Sequence, residues 1–376
     1  MIEIIVLGLL TIFTIYYVYF ILRIRIGLLS LRYAPTANIQ PVLTVIVAAR
    51  DEDKSIDQCL QSLVQQTYPS NKYEIIVVDD GSTDKTASIV HSFSQRYSNV
   101  HLLSLPAGTE RGMGRKPLAI AKGIDQAAGE IILTTDADCI APPKWVEIMA
   151  NHFEDSVVFV AGPVLEQSSA NLFSKLEQLE FLGLITTGAG LIGLGEPIIC
   201  NGANLAYKKS AFISVGGFGD HGNSNDDESL MNKMVQRNTG RIVFAPESDA
   251  VIITRSSNTL TSFLRQRIRW ANKRGHYEDK IILLKLVSLY LYFLSITLTV
   301  LLIPLEQQLL LPVVLSFGGK VLVDFLTLRS GARMFLQRVP IFYFLIAELL
   351  HVPYIVITAA LGQVSSMNWK GRTIRQ

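Results

Sequence analysis

An α/β chain built on a doubly wound sheet and bracketed by membrane-length apolar segments is what three observations on the sequence predict. From about residue 41, short β-branched runs alternate with helical stretches in βαβαβ order. The runs TVIVA and EIIVV are nearly continuous in apolar residues, as central parallel strands covered on both faces require. Apolar residues also concentrate in the first twenty-odd positions and after about residue 280, so the middle alone reads as an ordinary soluble domain.

Bulk composition agrees. With 49% hydrophobic and 18% charged residues and a mean hydropathy of +0.33, the 376-residue chain is unusually apolar for a soluble protein, which suggests a membrane. A formal net charge of +2, with no basic stripe interleaved with aromatics, excludes nucleic acid as a partner and leaves the membrane bilayer. Cys59, Cys139 and Cys200 are odd in number and widely spaced, which indicates neither a disulfide framework nor a zinc site.

Taken in order, Ile4 to Leu22 is nineteen residues without a formal charge and forms a candidate transmembrane helix within an anchor at 1–32. A cleaved signal peptide carries its basic residues before the apolar run. Here Glu3 precedes it and Arg23, Arg25 and Arg32 follow, an order that keeps the next domain cytoplasmic. Within 41–260 the periodicity predicts strands at Leu43–Val47, Tyr73–Val78, His101–Leu105 and Glu130–Thr135. Helices are expected at Ser55–Gln66, Lys85–Tyr97 and Pro117–Ala127. The apolar, Gly-rich stretch from 171 to 200 is read as an interfacial or substrate-covering helix and loop, because glycine weakens a membrane helix. An amphipathic interface helix at 261–280 precedes a C-terminal membrane region at 281–364 and a basic tail at 365–376. Leu286–Leu305 is a span, and Leu309–Leu328 and Val339–Leu361 are further candidates, giving two to three C-terminal transmembrane helices in a multi-pass cell-membrane protein. Lys320 and Asp324, at i and i+4, can neutralise each other, and Glu348 and His351 are also one turn apart.

Two strand ends carry chemistry. VVDDGSTD ends a buried strand in Asp79 and Asp80, at the carboxyl edge where open α/β sheets bind ligands. The plainer reading is an Asx turn with Ser82 or Asp84 capping a helix. TTDADC places Asp136 and Asp138 after another apolar strand. If the segment stays extended, both carboxylates face one point, where a divalent cation bridging phosphates can sit, and oxygen ligands suit Mn2+ or Mg2+.

The set VIVAARDED, VVDDGSTD, Lys116-Pro117-Leu118-Ala119, TTDADC, CNGANLAY, NDDESL and RQRIRW, in this order, resembles the inverting family 2 glycosyltransferases of GT-A fold over about residues 41 to 275. The membrane-anchored subgroup, ceramide glucosyltransferase-like and hyaluronan or cellulose synthase-like, looks nearest. The resemblance implies donor-binding roles for Arg50, Glu52, Asp79, Asp80, Lys116 and Asp136, and a metal and diphosphate site at Asp136 and Asp138. It implies that Asn201, Gly202 and Asn204 approach the donor sugar and acceptor, although a polar turn entering a strand explains the same residues.

The same resemblance makes Asp227 the catalytic base, with Asp226 beside it where relatives often carry Glu; an acid-rich helix N-terminus is the plainer reading. Gln266, Arg269 and Trp270 match QxxRW and would meet the diphosphate and acceptor, while Arg265, Arg267, Lys273 and Arg274 can sit at lipid headgroups. Lys122 departs from the Asn that relatives often carry. The expected reaction is transfer of a sugar from a nucleotide-sugar donor, a UDP-sugar, to a hydroxyl of a membrane lipid acceptor. A processive polysaccharide synthase acting on a glycan is the alternative, disfavoured by the small number of spans and the lack of a further regulatory domain. A transporter or non-catalytic nucleotide-binding membrane protein is the reading from another class, and the placement of the acids outside the spans speaks against it.

Overall fold

The computed structural model describes residues 2–34, 40–106, 115–167, 171–219, 226–257, 259–271, 280–364, 367–369 and 372–374. After the helix α1 (Ile2–Ser30) come β1 (Leu43–Ala49), α2 (Ile56–Val64), β2 (Tyr73–Asp79), α3 (Thr86–Arg96), β3 (Val100–Ser104), α4 (Arg115–Gln126) and β4 (Ile131–Asp136). These match the predicted elements to within three residues at each end. Next are α5 (Trp145–Asn151), β5 (Val157–Ala161), β6 (Val164–Glu166), α6 (Leu172–Gly193), β7 (Leu205–Lys208), α7 (Lys209–Ser214), α8 (Asp226–Gln236), β8 (Arg241–Phe244), β9 (Ile252–Thr254) and α9 (Leu260–Ala271). Last come α10 (Lys280–Leu302), α11 (Leu310–Met334), α12 (Ile341–Val364) and the antiparallel pair β10 (Met367–Trp369) and β11 (Arg372–Ile374).

Seven strands form the main sheet in the order β3-β2-β1-β4-β7-β5-β8. The pairs β1/β2, β1/β4, β2/β3 and β5/β8 are parallel, and β7 runs antiparallel between β4 and β5. The sheet is therefore mixed, with one reversed strand that the alternating pattern did not predict. Val45, Ile46, Val47, Ile75, Val77 and Val78 are wholly or almost wholly buried, and each contributes about 1.5–3 kcal/mol of burial. α4 lies so close to this sheet that a Cβ on Gly123 would press against Ile46 and Val78. Register sets the functional edge: Asp79 stands beside Ala49 and Asp136 beside Ala48, so β1, β2 and β4 end together.

Among the described residues, four helices, spanning Glu3–Ser30, Lys280–Leu302, Gln307–Met334 and Ile341–Gly362, are long and apolar enough to cross a membrane. α6 is a single helix that packs against α1 and α11. Glycines of both helices let α1 and α6 approach, because a Cβ on Gly27 of α1 or Gly193 of α6 would overlap the backbone of the other helix. Glu196, just after α6, bonds Arg23 of α1 and Lys285 of α10, each at 2.6 Å. The helix expected between 171 and 200 thus joins the sheet domain to the apolar helices. Lys320 bonds Asp324 at 2.9 Å, as the i, i+4 spacing predicts, and also bonds Glu348 of α12. The Tyr17 hydroxyl of α1 donates to Asp324.

Candidate active site at the acidic edge of the sheet

The loop after β1 is stitched to the loop after β2. Asp51, at φ +52°, accepts from Thr83 N through Oδ1 at 2.8 Å, while Glu52 N donates to Thr86 Oγ1 at 2.8 Å and Asp53 N to Asp84 Oδ2 at 3.0 Å. Gly81, at φ +66°, makes the turn that brings these loops together. The turn reading of VVDDGSTD is realised: Ser82 N donates to Asp79 Oδ1 at 3.3 Å in an Asx turn and Asp84 accepts from Thr86 N at 2.9 Å, while Asp80 faces Arg50 Nη1 at 3.4 Å. Asp79 and Asp80 are buried, and the Glu52 carboxylate accepts from Ser55 Oγ at 3.0 Å.

β4 ends at Asp136, and a turn closed by Cys139 N donating to Asp136 O carries Ala137 and Asp138. The expectation that Asp136 and Asp138 lie on one extended segment is therefore corrected. Strand alternation stops at Asp136, and the turn sets the direction of Asp138. Lys116, in the first turn of α4, bonds Asp136 Oδ1 at 2.5 Å; the two side chains remain 40% and 35% exposed, so a ligand can reach the pair. Burial lowers the Lys116 ammonium's affinity for its proton, but Asp136 and Asp227 outweigh it and hold the group above the ordinary lysine value. Burial, joined by the like charges of Asp136 and Glu52, pushes the Asp138 carboxyl above the usual carboxylate range. An oxygen donor set crowded by its own negative charge is suited to a hard divalent cation, so Asp136 and Asp138 fit the expected Mn2+ or Mg2+.

Asp227 stands in the first turn of α8. The Asn201–Asn204 turn makes room for it, since a Cβ on Gly202 would overlap Asp227 Oδ2. Burial raises the Asp227 carboxyl, with Lys116 opposing and Asp136 and Glu228 adding to the rise. Tyr207 Oη is fully buried near Asp227 and has no hydrogen-bond partner among the described residues. Sequence reasoning passed over this tyrosine although it closes CNGANLAY. Asn201 Oδ1 accepts from Ala203 N at 3.0 Å.

Asn204 does not reach a ligand in this arrangement. It is 0% exposed, its Oδ1 accepts from Trp145 Nε1 at 2.8 Å, and its Nδ2 donates to Pro163 O and Ala250 O at 2.8 Å each. It braces the turn.

The RQRIRW helix differs from expectation at Arg267, which does not sit at headgroups. Arg267 is 3% exposed, bonds both Glu180 oxygens at 3.0 Å through Nε, and lies 4.3 Å from the Trp270 ring centroid. Gln266 Oε1 accepts from Arg267 Nη1 at 2.7 Å. Gln266 and Trp270 are thus engaged with Arg267. The side chains of Asp226 and Arg269, and residues Lys273 and Arg274, lie outside the described residues. Around Arg267, burial and Glu177 push the Glu166 carboxyl up to about 8. This cluster joins β6, α6 and α9 and was not legible, because its charges are scattered over a hundred residues of chain.

An acid-lined carboxyl edge, a lysine-bonded aspartate and a carboxylate facing a glycine turn thus meet at the ends of β1, β2 and β4. The sequence matches Glycosyl transferase family 2 over residues 44–216 and Glycosyl transferase family group 2 over residues 131–361, and the chain belongs to this glycosyltransferase family. It is 28% identical over 181 residues to "Glycosyltransferase AglE" of Haloferax volcanii, covering 48% of this chain and 57% of that one. It is 29% identical over 262 residues to an "N-acetylglucosaminyltransferase" of Rhizobium meliloti, covering 66% and 58%. It is 27% identical over 267 residues to "Poly-beta-1,6-N-acetyl-D-glucosamine synthase" of Staphylococcus aureus, covering 69% and 60%. The chain thus spans about three fifths of the length of these relatives. Its fold is similar to the mannosyltransferase PcManGT from Pyrobaculum calidifontis, solved in complex with GDP-Man and Mn2+, at a TM-score of 0.63 and 20% identity over 96% of this chain and 98% of that one. The fold is GT-A.

Proposed function

We propose that this transferase moves a sugar from a nucleoside-diphosphate donor, a UDP-sugar, to a hydroxyl of a membrane lipid, with inversion at the anomeric carbon. The observation that carries the reading is the junction of Lys116, Asp136 and Asp227 at one sheet edge. Asp227 acts as the base: its raised proton affinity suits it to take the proton of a weakly acidic hydroxyl as that oxygen attacks. Lys116 neutralises negative charge beside Asp136, and Arg50, Asp79 and Asp80 shape the nucleoside end. Asp136 and Asp138 would hold Mn2+ or Mg2+, which when bound supplies charge stabilisation to the departing diphosphate.

A lipid acceptor is supported by the packing of the apolar helices directly on the transferase domain, where the rings of Phe335 and Phe244 lie 6.2 Å apart and Gly331 abuts Thr186. The catalytic domain then lies on the cytoplasmic side, because Arg23 and Arg25 in the last turns of α1 and Arg32 just beyond it follow the apolar run Ile4–Leu22. The second reading, a processive polysaccharide synthase, is favoured by the names of the relatives that match across two thirds of the chain.

The test is UDP release by detergent-purified protein given UDP-glucose, UDP-galactose or UDP-N-acetylglucosamine, with Mn2+ or Mg2+ and a lipid extract. Lipid-stimulated turnover yielding a glycolipid of discrete mass is the expected result. A polymer ladder would establish the synthase instead, and binding of UDP without turnover would remove the enzymatic reading.

A further inference from the structure

We propose that the turn joining α11 to α12 is a binding site for the phosphate of an anionic membrane lipid, separate from the transfer site. A cavity of about 310 Å³ opens there, lined by Arg329, Arg333 and Arg338, with Phe325, Ala332 and Val339 as its apolar wall. Arg329 and Arg333 are one helical turn apart on α11, and Arg338 returns from the connection to meet them.

Among the described residues none of these three guanidiniums makes an ion pair, whereas Arg23 and Arg267 each bond a glutamate. Among the described residues no carboxylate lines the cavity. Three like charges gathered around one cavity repel one another, and an anion seated among them removes that repulsion while matching the planar donor geometry of arginine.

Two features favour a lipid over a free phosphate. The connection that carries Arg338 exposes apolar side chains: Leu336, held at φ +54°, is 76% exposed, and Ile341 and Phe342 at the start of α12 are exposed as well. The turn also lies at one end of a hairpin of two membrane-length helices, on the side of the transferase domain that Phe335 touches through Phe244. That is the level of headgroups, where guanidiniums meet phosphate and apolar side chains meet acyl chains. None of the lining residues belongs to the acidic edge, so the inference does not depend on which acceptor the enzyme uses.

The experiment uses the full chain in detergent, titrated with phosphatidylglycerol or phosphatidylcholine and read by native mass spectrometry. The wild type is expected to retain phosphatidylglycerol in preference to phosphatidylcholine, and R329Q/R333Q/R338Q to lose that preference by on the order of tenfold or more. Equal retention by the two proteins would overturn the site. Retention abolished by excess inorganic phosphate, with no preference between the two lipids, would assign a free phosphate and overturn the lipid. If the triple variant does not fold, R338Q alone lies outside both helices; a smaller loss of retention is expected of it, and an unchanged value would count against the proposal.

Discussion

At the sheet edge, among the described residues, Glu52, Asp79, Asp80, Asp136, Asp138 and Asp227 gather around Arg50 and Lys116. Among the apolar helices, Lys320 bonds both Asp324 and Glu348, and Tyr17 donates a further hydrogen bond to Asp324. In the first region burial and like-charge repulsion raise Asp138 and Asp227. The second is answered from within. Asp324, Glu348 and His351 bring their ligand atoms within 4.8 Å of one another, a spacing that could hold a metal ion, yet a lysine ammonium already bonds the two carboxylates. Acids crowded together at the strand ends tighten their hold on protons. Charge that is matched holds helices together.

The strongest way to break this contrast is Asp227→Asn. It should reduce transfer by about 10²–10⁴-fold while leaving donor binding intact, because the amide keeps the shape and cannot take a proton. In the wild type the acid limb of the rate should lie above the ordinary aspartate value of about 3.9, since the raised carboxyl must lose its proton to act. An active Asn variant would remove the base assignment.

Lys320→Met should instead cost about 3–5 kcal/mol of stability by leaving two carboxylates without their cation. Lys320→Met/Asp324→Asn/Glu348→Gln should recover much of it. Thermal unfolding in detergent reads both; a variant that melts normally but turns over poorly would show that the helix cluster is functional.

Glu166→Gln is a smaller probe. Folded Glu166 holds its proton up to about 8, against an unfolded value near 4.5. Between those pH values the folded state binds more protons, so this group's contribution to stability declines as pH rises. The Gln variant should melt like wild type near pH 5 and a few degrees higher near pH 8. Parallel melting curves across that range would contradict the assignment.

The least effect is expected from Tyr207→Phe, which removes a buried hydroxyl without a partner among the described residues. Stability should stay level or rise by about 1 kcal/mol. A clear loss of transfer would show that the hydroxyl orients Asp227.

Much of this was legible because the physics is local. Apolar runs predicted β1, β2 and β4, and their acidic ends predicted the edge, since parallel register carries Asp79 and Asp136 there without help from distant residues. β7 was not legible as a reversed strand, because its direction depends on pairing with β4 and β5 rather than on its own four residues. Asn204 and Arg267 misled for a related reason. Both belong to motifs that look exposed in one dimension, and only the packing of Trp145 and Glu180 against them reveals braces inside the fold. The turn at Asp138 likewise depends on a backbone hydrogen bond that strand alternation does not foresee.

The most direct test of the central contrast is UDP binding to wild type and Asp138→Ala, titrated with and without Mn2+. The account predicts that Mn2+ strengthens binding to the wild type and that this gain disappears in Asp138→Ala, which remains folded. An equal gain in both proteins would contradict the claim that the acidic edge is a cation and diphosphate site.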